Sequence, residues 1–331
     1  MSVKRTVPVA AAVVLATLTI AVLVKRKGPS QTSTVAQVTF RLDWAPGAEH
    51  SFLYLAQQRG YFEKEKLAVA IQAGDGSTTS AKLVGNGTVN YALCSGDTAL
   101  IAASADVPIR VLAVLYSRTP AVVYSRKDRN ITKPKDLEGR RYGAFTKSTT
   151  YNQFLAFCAV AGVDLAKVQV IPTAGKADDI LTDGVDASGA YTYIQPIQCE
   201  LVGVPVNEIP MADYGVESYS VSIIANKNSL HPDVARRVVR AALLAFNEMV
   251  SNNSAALEAF FVANPAASKE FEKRKLERLT QFVRKNLETQ RKAGAQTLQG
   301  WQQTQDFLLS QKLISKKIDL SDFFTSEFLP E

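Results

Sequence analysis

The chain has 331 residues, 47% of them hydrophobic and 21% charged, which excludes a disordered or fibrous protein and is long enough for two compact units. Its formal net charge of +7 points toward nucleic acid, but Lys4, Arg5, Lys25, Arg26 and Lys27 carry five of those charges, with no acidic residue before Asp43. Setting those five aside leaves 33 basic against 31 acidic residues, so no basic face is implied and nucleic acid is excluded as a partner.

The five charges bracket Thr6–Val24, 19 uncharged and mostly apolar residues interrupted by Pro8. A basic start before an apolar centre marks an export segment, and its length suits a bilayer span of about 20 residues. Two readings stay open: a signal anchor that holds the chain to the membrane, and a secretory signal that is cleaved. Thr34-Val35-Ala36 is a poor cleavage site far from the apolar run, which favours the anchor, while similar positive charge on both sides gives no orientation. Gly28–Gln37 reads as a tether, so residues 1–37 are set apart.

Next, Val38, Phe40 and Leu42 alternate with Thr39, Arg41 and Asp43 as a half-buried strand that Pro46-Gly47 breaks. The break is expected to expose Asp43, Trp44, Glu49 and His50 between a strand and a helix, with Ser51 as N-cap and Phe52, Leu53, Leu55 and Ala56 at helical spacing until Gly60. The alternation continues with strand Ala68–Ala73, helix Ser77–Val84, strand Val89–Cys94, helix Thr98–Ala105 and strands Ile109–Tyr116 and Ala121–Ser125. A Pro-containing connection at 130–134 places a lobe boundary near 126. A second alternating set follows: helix Lys135–Glu138, strand Arg141–Phe145, helix Thr149–Ala161, strand Val168–Pro172, helix Lys176–Thr182, strand Ala187–Tyr191, helix Ile197–Val202 and strand Val206–Pro210. Ser218–Ala225 returns as a strand, and helices at 232–252, 255–263, 268–285 and 298–310 are expected to pack back on the first lobe. The fold class is therefore α/β, with largely parallel sheets in two lobes joined by two crossings: 38–125 plus 216–331, and 126–215. Such lobes hinge about a cleft. Nine basic and four acidic residues in Lys269–Lys292 read as a solvated amphipathic helix.

Catalytic constellations are nearly absent. His50 and His231 are the only histidines, and no hydrolase, zinc-protease, phosphate-loop or dinucleotide motif occurs. Cys94, Cys158 and Cys199 are too few and too widely spaced for a zinc site or disulfide framework; they read as buried core residues, with one disulfide plus a free thiol as the alternative. No catalytic residue, metal ligand or cofactor is expected. Binding features are plentiful: Ser95, Asp97 and Thr98 open one helix at a strand end, Lys147, Ser148, Thr149 and Thr150 open another, and Tyr191, Tyr193 and Gln195 end a second-lobe strand, with Tyr214 and Tyr219 at the return crossing.

Leu42-Asp43-Trp44, His50, Gly60-Tyr61-Phe62, Lys82-Leu83-Val84 before Gly87, Asp136-Leu137-Glu138-Gly139, Gln195-Pro196 and Ala212-Asp213-Tyr214-Gly215 together resemble the solute-binding proteins of ABC importers for thiamine-pyrimidine precursors, nitrate, sulfonates and taurine. The resemblance covers essentially everything after residue 37 and is strongest to the pyrimidine-precursor branch. It implies a type II periplasmic-binding-protein-like fold and a monomer, exported to the periplasm or outer face of the cytoplasmic membrane, that delivers a small-molecule ligand to an ABC permease and its ATPase. Trp44, His50 and Gln195 are then expected to line the cleft, with Gln195 standing where the branch has glutamate. Asp43 and Asp97 would repel anions, which favours a small neutral or cationic heterocycle stacked between Trp44 and Tyr193, with Asp43, His50, Ser95, Thr98 and Gln195 as hydrogen-bond partners. The alternatives are a sulfonate, taurine or nitrate binder, a membrane-tethered sensor, and the related pyrimidine synthases. For the last, the lysine position is Cys94, the sacrificial-histidine position is Thr98 and the cysteine-rich motif is missing.

Overall fold

The computed structural model describes residues 1–2, 34–146, 148–216, 218–290 and 292–330. The run Thr6–Val24, read above as anchor or signal, lies outside them, and no helix among the described residues is long and apolar enough to cross a membrane. Val35–Glu331 forms one unit. It opens with β1 (Ala36–Arg41), α1 (Ser51–Gln58), α2 (Tyr61–Lys64), β2 (Leu67–Gln72), α3 (Ser77–Gly85), β3 (Tyr91–Ser95), α4 (Gly96–Ser104) and β4 (Ile109–Val114). The chain then crosses into β5 (Ala121–Arg126), β6 (Arg141–Ala144), α5 (Thr149–Val160), β7 (Gln169–Pro172), α6 (Asp178–Leu181), β8 (Ala187–Tyr191), α7 (Gln195–Leu201) and β9 (Val206–Pro210). It returns through β10 (Val221–Asn226) to α8 (Pro232–Ser251), α9 (Asn253–Ala263), α10 (Lys269–Gln290), α11 (Leu298–Ser310) and α12 (Leu320–Phe323).

Two five-stranded sheets result, ordered β2-β1-β3-β10-β4 and β7-β6-β8-β5-β9. Each is parallel except for one inserted strand: β10 runs antiparallel between β3 and β4, and β5 antiparallel between β8 and β9. Each inserted strand is the one that has just crossed from the other lobe. This corrects the boundary drawn at 125/126, because Ala121 already pairs with Tyr191 and Val122 with Pro210; the first crossing is 115–120. Val216 likewise belongs to the core of the second sheet. The proline connection that suggested a linker is a 3-10 turn, Pro134–Leu137, with Ile131 and Leu137 buried in that same core.

The helices after β10 do pack on the first sheet. Apolar positions of α8, including Val238, Ala242, Phe246 and Met249, are buried against α1, with Phe246 edge-on to Phe52 at 5.6 Å; each large side chain so buried contributes about 2 kcal/mol of transfer free energy. On the other face, Trp301 of α11 is buried between Tyr219 and Phe323, and its indole N–H donates to Gln296 at 2.9 Å. All three cysteines are free thiols buried in these cores. Ser51 is not the predicted cap: it is the first residue of α1, and its buried hydroxyl has no partner among the described residues.

Candidate ligand-binding cleft

A cavity of about 650 Å³ lies where the two lobes meet, within the usual size for small-molecule sites. Its first-lobe wall is the turn after β1, the start of α3 and Tyr116 of the crossing; its second-lobe wall is 142–146, 148–152, 174–175, 189–191 and 193–195. Both walls sit at strand ends, where open α/β sheets leave room for ligands.

The turn after β1 is held from beneath. Gly74 donates its backbone N–H to Trp44 O at 2.9 Å, and the Ser80 hydroxyl donates to Leu42 O at 3.0 Å. A Cβ on Gly74 would lie 2.1 Å from Leu42 O, so only glycine fits that close backbone approach. His50 is buried at 1% exposure. The Gly47 N–H points at its Nδ1 at 3.3 Å, which makes Nδ1 the acceptor, so the proton sits on Nε2 and is donated to Asp43 Oδ1 at 2.9 Å. One carboxylate oxygen of Asp43 is thereby fixed and the other is left for the cavity. Glu49, expected to be exposed, is buried and paired with Lys275 at 2.6 Å. Burial pushes its carboxyl up, but the Lys275 ammonium outweighs that and holds it below its ordinary value. Of this turn's four polar and aromatic residues only Trp44 is largely open, at 47% exposure.

Across the cleft Tyr193 is buried, as is Tyr116, and both line the cavity. Neither hydroxyl has a hydrogen-bond partner among the described residues. Burial pushes both phenols well above their ordinary range, and the charges of Asp43 and Glu49 add to the effect, so both stay protonated donors. Gln195 donates from Nε2 to Gly175 O at 2.9 Å; a carbonyl can only accept, so the amide nitrogen must be on that side, and the buried Oε1 has no partner among the described residues. Among the described lining residues the charges are Asp43, Glu49 and Asp75 against Lys82 alone. Asp75 is matched by Arg41 at 2.7 Å. Lys147 lies outside the described residues.

Ser148 and Thr149 line the rim, although Ser148 Oγ is occupied in capping α5, accepting from Tyr151 N at 3.2 Å and donating to Phe145 O at 2.7 Å. Four predicted ligand contacts do not line the cavity. Ser95, Asp97 and Thr98 are buried outside its lining, where β3 turns into α4, and the side chains of Asp97 and Thr98 meet Gln153 and Thr149 of α5. Asp97 accepts from Thr98 N at 2.6 Å and from Gln153 Nε2 at 2.7 Å, Gln153 accepts from the Thr119 hydroxyl at 2.7 Å, and the hydroxyls of Thr98 and Thr149 meet at 3.0 Å. This network ties the lobes together at the crossing. Burial pushes the Asp97 carboxyl up, and these hydrogen bonds only partly offset it. Tyr214 is packed edge-on against Phe157 at 5.6 Å, away from the cavity lining. Tyr116 was missed as a site residue, though it ends the predicted strand Ile109–Tyr116, where a strand-end position carried the signal. Among the described residues no cluster of histidine, cysteine and carboxylate side chains could hold a metal ion.

Comparison with known proteins agrees with this architecture. A riboflavin-binding protein of Chloroflexus aurantiacus is 24% identical over 91% of this chain and 88% of its own length. A formylaminopyrimidine-binding protein of Halalkalibacterium halodurans is 24% identical over 90% and 92%, and a 4-amino-5-hydroxymethyl-2-methylpyrimidine phosphate synthase of Legionella pneumophila is 21% identical over 91% and 95%. The periplasmic aliphatic sulphonate binding protein of Escherichia coli superposes with a TM-score of 0.67 at 13% identity, covering 87% of this chain and 90% of that one, which establishes the periplasmic-binding-protein fold. Residues 47–256 match the family described as NMT1/THI5 like, and the chain belongs to that family.

Proposed function

We propose that the protein is the solute-binding component of an ABC importer, working outside the cytoplasmic membrane, which encloses a flat neutral or cationic amino-heterocycle between its lobes and passes it to a permease and ATPase. The observation that carries this is the set of groups lining the cavity that have no partner among the described residues: acceptors at the second carboxylate oxygen of Asp43 and at Gln195 Oε1, donors at the hydroxyls of Tyr116 and Tyr193. A ring edge that alternates N–H donors with nitrogen or carbonyl acceptors, as in an aminopyrimidine or the pyrimidine ring of a flavin, satisfies all four. Trp44 and Tyr193 offer faces for stacking, and His50, which also lines the cavity, fixes Asp43. The names of the two binding relatives support this ligand class. A sulfonate or nitrate reading is disfavoured by carboxylates on the wall. Catalysis is no part of the proposal: Cys94 is buried with its thiol pushed well up by burial, and Thr98 is held by Asp97 and Thr149.

Thermal-shift and calorimetric titrations with 4-amino-5-hydroxymethyl-2-methylpyrimidine, its formylamino relative, riboflavin, taurine and nitrate test this. A heterocycle is expected to stabilise the protein, by about 2.7 kcal/mol at a hundredfold excess over Kd. Stabilisation by taurine or nitrate alone would overturn the assignment.

A further inference from the structure

One side of α10 reaches both walls of the cleft. Glu272, Lys275 and Arg278 follow one another at three-residue intervals, which keeps them near neighbours on the helix surface. Glu272 accepts the Ala48 N–H at 2.6 Å, and Lys275 pairs with Glu49 at 2.6 Å, so the first two hold the first-lobe turn that carries His50. Arg278 instead turns to the second lobe. Its Nη2 donates to both carboxylate oxygens of Glu200 on α7, each at 2.9 Å, and its Nη1 donates to Thr192 O at 3.1 Å and to Glu208 on β9 at 3.3 Å. Thr192 lies between Tyr191 and Tyr193, two residues of the second-lobe wall. The body of α10 is fixed to the first lobe through Leu276, Leu279 and Val283, which are buried in its core.

We infer that Arg278 is an interlobe latch: a positioning residue that grips the 191–195 turn from the first lobe, so that making or breaking its contacts with Glu200, Glu208 and Thr192 O sets the spacing of the two ligand walls. The four contacts made by one guanidinium exceed what an isolated surface ion pair provides, and they join the first-lobe helix α10 to the second lobe beside Tyr191 and Tyr193 of the cavity wall. Ile197 and Leu201 of α7 also pack against this region, so a loss of the latch loosens the lobes without unfolding either.

The decisive measurement uses the ligand-free protein, so it stands or falls independently of the ligand assignment. Spin labels at L165C in the second lobe and L244C in the first, both exposed positions and the native thiols being buried, report the interlobe distance. Arg278→Gln is expected to move the distribution to longer distances, Arg278→Lys to restore it in part, and high salt to shift the wild type but not Arg278→Gln. Arg274→Gln, which removes only the exposed i,i+4 pair with Glu270, is the control and is expected to change nothing. With riboflavin or the aminopyrimidine as probe, whichever binds, dissociation from Arg278→Gln is expected to be about tenfold faster. Should Arg278→Gln fail to fold, the double variant Glu200→Gln/Glu208→Gln removes both carboxylate partners from the other side and is expected to give the same distance shift. An unchanged distance distribution in a folded Arg278→Gln or Glu200→Gln/Glu208→Gln variant overturns the proposal.

Discussion

Asp43 owes its orientation to His50, whose protonated Nε2 points at one carboxylate oxygen and whose Nδ1 is engaged by the Gly47 N–H. Asp43→Asn is expected to weaken heterocycle binding 10- to 100-fold, the usual cost of losing a charged hydrogen-bond acceptor of roughly 1.5–3 kcal/mol. His50→Phe should cost about tenfold, and the double variant should lose little beyond Asp43→Asn alone, because both changes act through one carboxylate; calorimetry on the four proteins checks this, and full additivity would show that His50 contacts the ligand directly. Asp43, Trp44 and the Tyr193-Gln195 pair could be picked out from the sequence because each stands where a strand pattern breaks. The roles of Ser95, Asp97 and Thr98 could not, since a polar residue that opens a helix looks the same whether it faces a ligand or, as here, the neighbouring lobe.

At the scale of elements, the turn after β1 depends on two supports that lie far away in sequence. Gly74→Ala would press a methyl group into Leu42 O and is expected to displace Asp43 and Trp44 together, lowering both the melting temperature and ligand affinity. The second support is the Glu49–Lys275 pair, and Glu49→Gln is expected to cost about 2 kcal/mol, below the usual range for a broken buried pair because Glu272 remains beside Lys275. Its pH dependence has a definite sign. Glu49 titrates below its ordinary 4.5 in the folded state, so its stabilisation is present above that pH and lost as pH falls through the folded value. Lys275 titrates above its ordinary 10.5, so its share is complete below that and lost as pH rises through the folded value. Glu272, whose carboxyl is pushed up by burial, binds its proton earlier and gives back part of the acid-side loss. The difference in melting temperature between wild type and Glu49→Gln should be widest near neutrality and shrink below pH 4.5; a gap that persists undiminished in acid would rule the pair out as its cause. Period-two and helical spacing located nearly every strand and helix, yet α10 read as a solvated helix because its apolar spacing is regular and nothing local reveals that two of its charges meet a turn more than 200 residues earlier.

For the molecule as a whole, alternation of strands and helices made two lobes and two crossings visible, but the ownership of β5 was not. Ala121–Ser125 is buried on all sides, so its own pattern fits either sheet and only long-range pairing decides. The polar network behind the cavity joins the two lobes at the first crossing. Gln153→Ala breaks the links to both Asp97 and Thr119 and leaves a buried carboxylate short of a donor, so it is expected to destabilise the protein by about 2 kcal/mol in chemical denaturation while leaving ligand contacts untouched; a loss of affinity without loss of stability would place Gln153 in the ligand site instead. The exchanged strands also set an order of assembly. Residues 121–216 supply every strand of the second sheet, whereas the first sheet has a gap between β3 and β4 until β10 arrives from beyond residue 220. A chain emerging from its N-terminus can therefore complete its later lobe before its earlier one, and the first lobe must wait, with two strand edges unpaired, for the chain to come back. For the export proposed above, that delay would leave the N-terminal half threadable until the C-terminal half has followed it.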